Sequence, residues 1–411
     1  MASFSVPLSG LEADSSWLNT ISNNLANLNT DGYKNENLTF GDVFAQINGA
    51  SGNGDPIQIG SGVQVSATTS NFSNGNVEST GIDSNMALQG NGLFVVQGDG
   101  QTSYTRSGDF SVNSAGQLIT ASGQLVLGYP AVNGVVDTGG TLGPIDVNPT
   151  GTIAGTPTTT FQTDTNLNSS AAVGDTFSTP ITVYDSLGGS QTLNIQYTNT
   201  GTNAWSYTIT LPASATGAAN PTTVATGTMT FNSSGELLTP AGGSVTGIKL
   251  TGLADGAANM NLTWNLSASG SPTITQLDST SATSSTTQDG FGVGTLTGFT
   301  VGADGTIEGQ FSNERAQALG QVAVASFANV QGLTQSNDGD YSPTMASGAA
   351  VIGTAGAGGN GTIEGTSVEE SNVNLSAEFA NMIVAQQGYQ ANAKALTTMD
   401  QIEQATMQMI T

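Results

Sequence analysis

Leu11, Leu18 and Leu25 stand seven residues apart near the start of this chain, and Ile21 and Leu28 repeat that interval. Near the other end Leu375, Met382, Tyr389 and Leu396 recur at the same spacing, with Phe379, Met399, Ile402 and Met409 widening the face. A seven-residue apolar repeat belongs to a helix with one seam. The second pattern, AEFANMIVAQQGYQANAKALTTMDQIEQATMQMI, predicts a single helix of about 35 residues, longer than a globular domain usually holds. Two such helices at opposite ends predict a coiled-coil-like pairing, within one chain or between chains. The alternative is a helical hairpin packed on a domain.

The helix starts are less defined. Ser5 with Pro7 in the first turn, or Ser9 with Glu12 as a capping box, would each open the first helix. Ser376, followed by Glu378, is the expected cap of the second. The stretch NNLANLNTDGYK (23–34) is a poor helix in isolation, because asparagine competes for backbone hydrogen bonds. Asn23, Asn24 and Asn27 form an amide face beside Ile21, Leu25 and Leu28, suited to partners from another subunit. Asn29 to Gly32 then turn the chain, with Gly32 suited to positive φ and Tyr33 and Lys34 anchoring the exit.

Between the ends, from about 60 to 365, the pattern is β. Runs such as NGLFVVQG, TPITVYDS, QTLNIQYT and AWSYTITL are short, β-branched or aromatic, and bounded by turn residues. FSVNSAGQLIT (110–120), MTFNSSGELLT (229–239) and FTVGADGTIEG (299–309) share one strand–turn–strand design with glycine placed in the turn. Their irregular separations exclude a solenoid. Ser/Thr/Gly-rich zones at 148–160 and 278–290 bracket a self-contained β segment, and 353–365 is a flexible join. The expected class is α+β, mostly β. Residues 1–70 and 366–411 would form a terminal helical core with its linker. Residues 71–147 and 289–365 would form a discontinuous inner β domain, with an outer β domain of 148–288 inserted in it.

Five basic residues stand against thirty acidic ones, for a formal charge of −25. Nucleic-acid binding needs cations to displace counterions, and anionic membranes would repel this chain. With no cysteine and no histidine, disulfides, thiol nucleophiles, imidazole metal sites and histidine triads are all excluded. No apolar run is long enough to span a membrane. Residues 4–28 alternate apolar and polar instead of forming the apolar run of a signal peptide, so none is expected.

Enzymatic signatures are lacking. There is no nucleophile elbow, phosphate-binding loop or Ser-x-x-Lys motif. DGDYSPTMASGA, from Asp338, starts like a calcium loop but lacks the glycine at the sixth place and the closing glutamate. Asp99, Asp109, Asp304 and Glu308 lie in or beside hairpin turns, where Asp makes local hydrogen bonds, and nothing pairs them for glycoside hydrolysis. No enzyme, metal or cofactor is expected.

NNLANLNTDGYK after an N-terminal helix closely resembles the signature of the bacterial flagellar rod and hook axial proteins. ESNVNLSAEFANMIVAQQGYQANAKALTTMDQIEQATMQMI is similar to that family's C-terminal segment. Residues 90–131 resemble the β domain shared by hook and distal-rod members. TPITVYDSLGGSQTLNIQYT (179–198) and residues 304–333 resemble the outer insert and the return strands of the hook members. Gln387-Gly388 and Tyr341 depart from the family, where Arg and Trp are common.

The resemblance implies a subunit of a helical homopolymer, the curved hook that carries motor torque from rod to filament. It implies an extracellular place in the flagellum, reached through the flagellar type III export apparatus without a cleaved signal. It also implies as partners the hook cap, the distal rod and the hook–filament junction proteins. Assembly residues would be Leu11, Leu18, Ile21, Asn23, Asn24, Leu25, Asn27, Leu28, Asn29, Gly32 and Tyr33 at one end. At the other they would be Phe379, Met382, Ile383, Tyr389, Leu396, Met399 and Ile402. Phe40 and Phe44 of FGDVF look like the export-gate element of such substrates. Two other readings are a stiff distal-rod protein and, from composition alone, a secreted β-rich adhesin.

Overall fold

A computed structural model describes residues 4–43, 46–50, 56–148 and 151–410, without the side chains of 46–50, 56–59 and 410. The chain is mostly β, with a long helix at each end: α1 (Ser5–Ala26) and α2 (Leu375–Ile410). It divides into two units. One comprises Met1–Pro149, Gly298–Gly309 and Ala316–Thr411; the other comprises Thr150–Thr297 and Gln310–Arg315.

In the first unit an antiparallel sheet is built around the strands Leu93–Gly98, Gln101–Thr105, Leu125–Val132 and Ala316–Ser326. Leu93–Val96 and Gln321–Ala325 are buried without alternation, so the sheet has a core on each face. Met86, Leu88, Phe94, Phe110, Val126 and Val324 pack on one side, and Leu93, Val95, Tyr104, Tyr129 and Tyr341 on the other. Burial of that kind makes a strand read as an unbroken apolar run.

The second unit pairs two sheets over one core. The strands Thr176–Tyr184, Ser190–Gly201, Ala204–Leu211 and Thr222–Phe231 form an antiparallel meander. The other sheet is mixed: Thr160–Asn168 runs parallel to Met260–Asn265 and Ile274–Leu277, and antiparallel to Ala282–Gln288. Burial alternates residue by residue along Thr160–Asn168 and Ala204–Leu211, as a half-buried strand requires. Trp205, Trp264, Tyr197 and Phe161 fill the space between.

The three recurrent hairpins form as their sequences imply. Asn113 and Asn232 each accept backbone N–H groups of their own turn, while Gly116, Gly235 and Gly305 take positive φ. The helix caps differ from expectation. Phe4 precedes α1 and makes no side-chain cap, and the Ser9 hydroxyl instead donates to Val6 O and accepts from Val63 N–H. Asn374, not Ser376, caps α2, its side chain accepting from the Ala377 N–H at 3.1 Å.

Candidate assembly core

α1 and α2 pack antiparallel: Asn24 meets Glu378, Asp14 meets Gly388 and Asn392, and Gly10 meets Asn392. The face that α1 buries runs through Pro7, Gly10, Ala13, Ile21 and Asn24. These positions are three, three, eight and three residues apart, and they combine the small Gly10 and Ala13, the large apolar Ile21 and the amide of Asn24. Leu11, Leu18, Leu25 and Leu28 lie beside this line and are half-buried. On α2 Glu378 and Ala385 are buried, and Met382, Gly388, Asn392, Leu396 and Met399 are half-buried. Gly10 permits the close approach, because a β-carbon there would stand 2.5 Å from the Asn392 amide nitrogen.

The apolar stripe of α2 is divided between covered and bare positions. Phe379, Ile383, Tyr389 and Ile402 are exposed, with Phe379 at 50 % and Ile383 at 56 %; Met382, Leu396 and Met399 are half-buried. α2 also outruns its partner. Gly10, five residues from the start of α1, is already level with Asn392, and every residue from Asp400 to Met409 is exposed.

The asparagine signature is wired inward at one position. Asn24 is 1 % exposed and uses its whole amide. Its Nδ2 donates to Glu36 O at 2.9 Å and to Glu378 Oε1 at 3.0 Å; its Oδ1 accepts from the Glu36 N–H at 2.9 Å and the Tyr33 hydroxyl at 3.1 Å. Those four bonds saturate a primary amide. Asn24 thus has nothing left to offer a neighbouring subunit, which corrects the expectation for that residue. Asn23 is exposed and donates to the Tyr33 hydroxyl at 3.2 Å; Asn27 bonds back to Asn23; Asn29 is exposed. Burial first, and then Glu36 and Glu378, push the Tyr33 phenol up to about 12.

Gly32 takes φ +71, and a β-carbon there would lie 2.5 Å from the Ser107 backbone nitrogen, so the turn admits only glycine. Its N–H donates to Glu369 O at 2.7 Å. The Glu369 side chain, which sequence reading missed, gathers the exit of the signature. One oxygen accepts from Lys34 Nζ at 2.7 Å and from the Gly75 N–H, and the other from Arg106 Nε at 2.5 Å. All three charged side chains are at least 97 % buried. Burial pulls the Lys34 ammonium down from its ordinary range, against the pull of Glu369. Two of the chain's five cations are thus committed to one carboxylate, a clue available from their scarcity.

Phe40 lies on the strand Glu36–Asp42 with its ring edge-on to Trp17 at 5.9 Å, a packing contact; Phe44 falls outside the described residues. Among the described residues no group of acids is arranged to hold a metal ion, and no helix is long and apolar enough to cross a membrane.

Comparison with known proteins places this geometry. The family described as "Flagella basal body rod protein" matches residues 5–34, "Flagellar basal body rod FlgEFG protein C-terminal" matches 364–409, and "Flagellar basal body protein FlaE D2 domain" matches 145–291. The flagellar hook protein FlgE of Salmonella typhimurium is 36 % identical over 97 % of this chain and 98 % of its own length. The FlgE of Escherichia coli is 34 % identical with the same coverage of both chains. That of Treponema pallidum is 31 % identical over 96 % of each. With both helices, the signature turn and the intervening β segment all inside these matches, the chain belongs to the flagellar hook protein FlgE family.

Proposed function

We propose that this hook-family chain polymerises through the outer faces of its two terminal helices. The observation that carries the reading is the uncovered apolar surface of α2: Phe379, Ile383, Ile402 and Met409 are exposed on a helix that outruns α1. Exposed apolar side chains spread along one long helix mark an interaction surface. In this account neighbouring α1–α2 pairs form a coiled-coil-like inner tube that bears tension. The β portion between them forms an inner domain of 71–147 and 289–365 carrying the insert 148–288. Unit surfaces rich in Ser, Thr and Asn let outer contacts shift as a curved hook turns, since no strong ion pair fixes their register.

The same reading makes the chain a structural protein and not an enzyme, passed unfolded through the flagellar type III apparatus to the cell exterior. Distal rod, hook cap and hook–filament junction proteins are its partners at the two ends of the polymer. Phe40 and Phe44 serve the export gate, before the fold sets the Phe40 ring edge-on to Trp17.

Electron microscopy of purified, concentrated protein tests this. Curved tubes are expected, and a chain lacking 376–411 should form none. Straight rods would favour a distal-rod role. A monomer that binds a surface equally well with and without α2 would favour an adhesin.

A further inference from the structure

Assembly brings together copies that each carry a formal charge of −25, so each exposed cation is a directional feature. Lys34 and Arg106 are buried on Glu369, and Lys249 and Arg315 belong to the second unit. Among the described residues, Lys394 is therefore the one side-chain cation exposed on the first unit, and it has no carboxylate partner. At 3.6 residues per turn it shares a face of α2 with Phe379, Ile383 and Gln390, within about 60° of arc. That face lies directly across the helix from Glu378, Ala385 and Asn392, the side that meets α1.

The first unit also holds a groove of about 970 Å³ where α1 ends, lined by Asn27, Thr30, Asp31, Asp109, Ser122 and Asp338, among others. No basic residue lines it. Burial, then Asp109, Glu78 and Glu370, push the Asp31 carboxyl up, the response expected in a negative field. The C-terminus of the 22-residue helix α1 adds the negative end of its dipole.

The copy's own Lys394 cannot fill this groove. Glu378 is level with Asn24 at the groove end of α1, and Lys394 lies sixteen positions further along α2, about 24 Å away at 1.5 Å per residue. That gap is several times the reach of a lysine side chain.

We propose that Lys394 of one copy docks into the Asp31–Asp109–Asp338 groove of a second copy, with Phe379 and Ile383 of the same helix face, about 16–23 Å further along α2, packing on that copy outside the groove. The pair sets the axial register between neighbours, offset by about 24 Å along α2. This inference rests on the assembly reading above and names the contact that fixes it. Like-charged copies then associate in one register, because acid opposes acid elsewhere on these first units.

The test uses full-length protein, half of it labelled with ¹⁵N, polymerised and treated with a carbodiimide that joins lysine directly to carboxylate. Mixed-isotope cross-links from Lys394 to Asp31, Asp109 or Asp338 are expected. Lys394→Glu, with helix content unchanged by circular dichroism, should raise the concentration needed for polymerisation at least about tenfold at low salt. Lys394→Gln should raise it less and flatten its salt dependence. Polymer from Lys394→Glu at the wild-type concentration, or Lys394 cross-links confined to other acids, overturns the docking while leaving assembly intact. A wild-type chain that never polymerises overturns both.

Discussion

Asn24 donates to Glu378 at 3.0 Å, joining positions 354 residues apart in the chain. The bond ties the end of α1 to the first turn of α2, and the same amide also holds the Tyr33 hydroxyl and both backbone groups of Glu36. Removing it by Asn24→Ala leaves several buried polar groups unpaired, so a loss of about 1–3 kcal/mol is expected in urea unfolding. Asn24→Asp should cost more, because it sets a second carboxylate against Glu378, and Glu378→Gln should recover part of that loss. An Asn24→Asp protein as stable as the wild type would contradict this wiring.

Glu369 is the carboxylate that two buried cations, Lys34 and Arg106, share, and Glu369→Gln keeps its shape while removing its charge. Uncompensated charge at such depth costs about 3–5 kcal/mol, so the thermal unfolding midpoint of the first unit should fall by many degrees. A drop equal to that of an ordinary surface substitution would mean the cluster adds nothing.

Tyr33 gives a pH signature. Its phenol ionises near 12 in the fold against an ordinary 10.0, so the folded chain holds a proton that the unfolded chain releases. The stability this contributes is complete below pH 10 and drains away as pH rises from 10 to 12. The tyrosinate absorbance difference between wild type and Tyr33→Phe should therefore titrate near 12. A difference titrating near 10 would show an exposed phenol.

Gly10→Ala should force the Asn392 side chain off its 2.9 Å bond to Asp14, costing about 1–2 kcal/mol as an overpacked contact. Gly60→Ala, where nothing lies within 4 Å, serves as the control and should change stability by no more than about 0.5 kcal/mol. Equal effects would mean that α1 and α2 do not approach as closely as described.

The period of both helices was legible in the sequence, as was the place of Ile21, but Pro7, Gly10 and Ala13 of the buried line were not. Leucine spacing pointed to Leu11, Leu18 and Leu25, whereas the seam lies one position away at Gly10 and Asn24. A buried asparagine or glycine carries no apolar signal; only its partner, hundreds of residues distant, reveals it. Burial of Asn24 likewise turned an amide expected to face another subunit into an internal tie. Strand alternation in Thr160–Asn168 and Ala204–Leu211 was readable because each residue reports its own face. Glu369 was not, since nothing adjacent in sequence distinguishes it from Glu370. Asn374 was overlooked as a cap because Ser376 also precedes an acidic first turn.

The central claim is that assembly covers the part of α2 that its own chain leaves bare. Amide hydrogen exchange across Gln401–Met409, measured in monomer and in polymer, tests it most directly. The account predicts rapid exchange in the monomer, where these residues are exposed, and strong protection in the polymer. Equal exchange in the two states would contradict it.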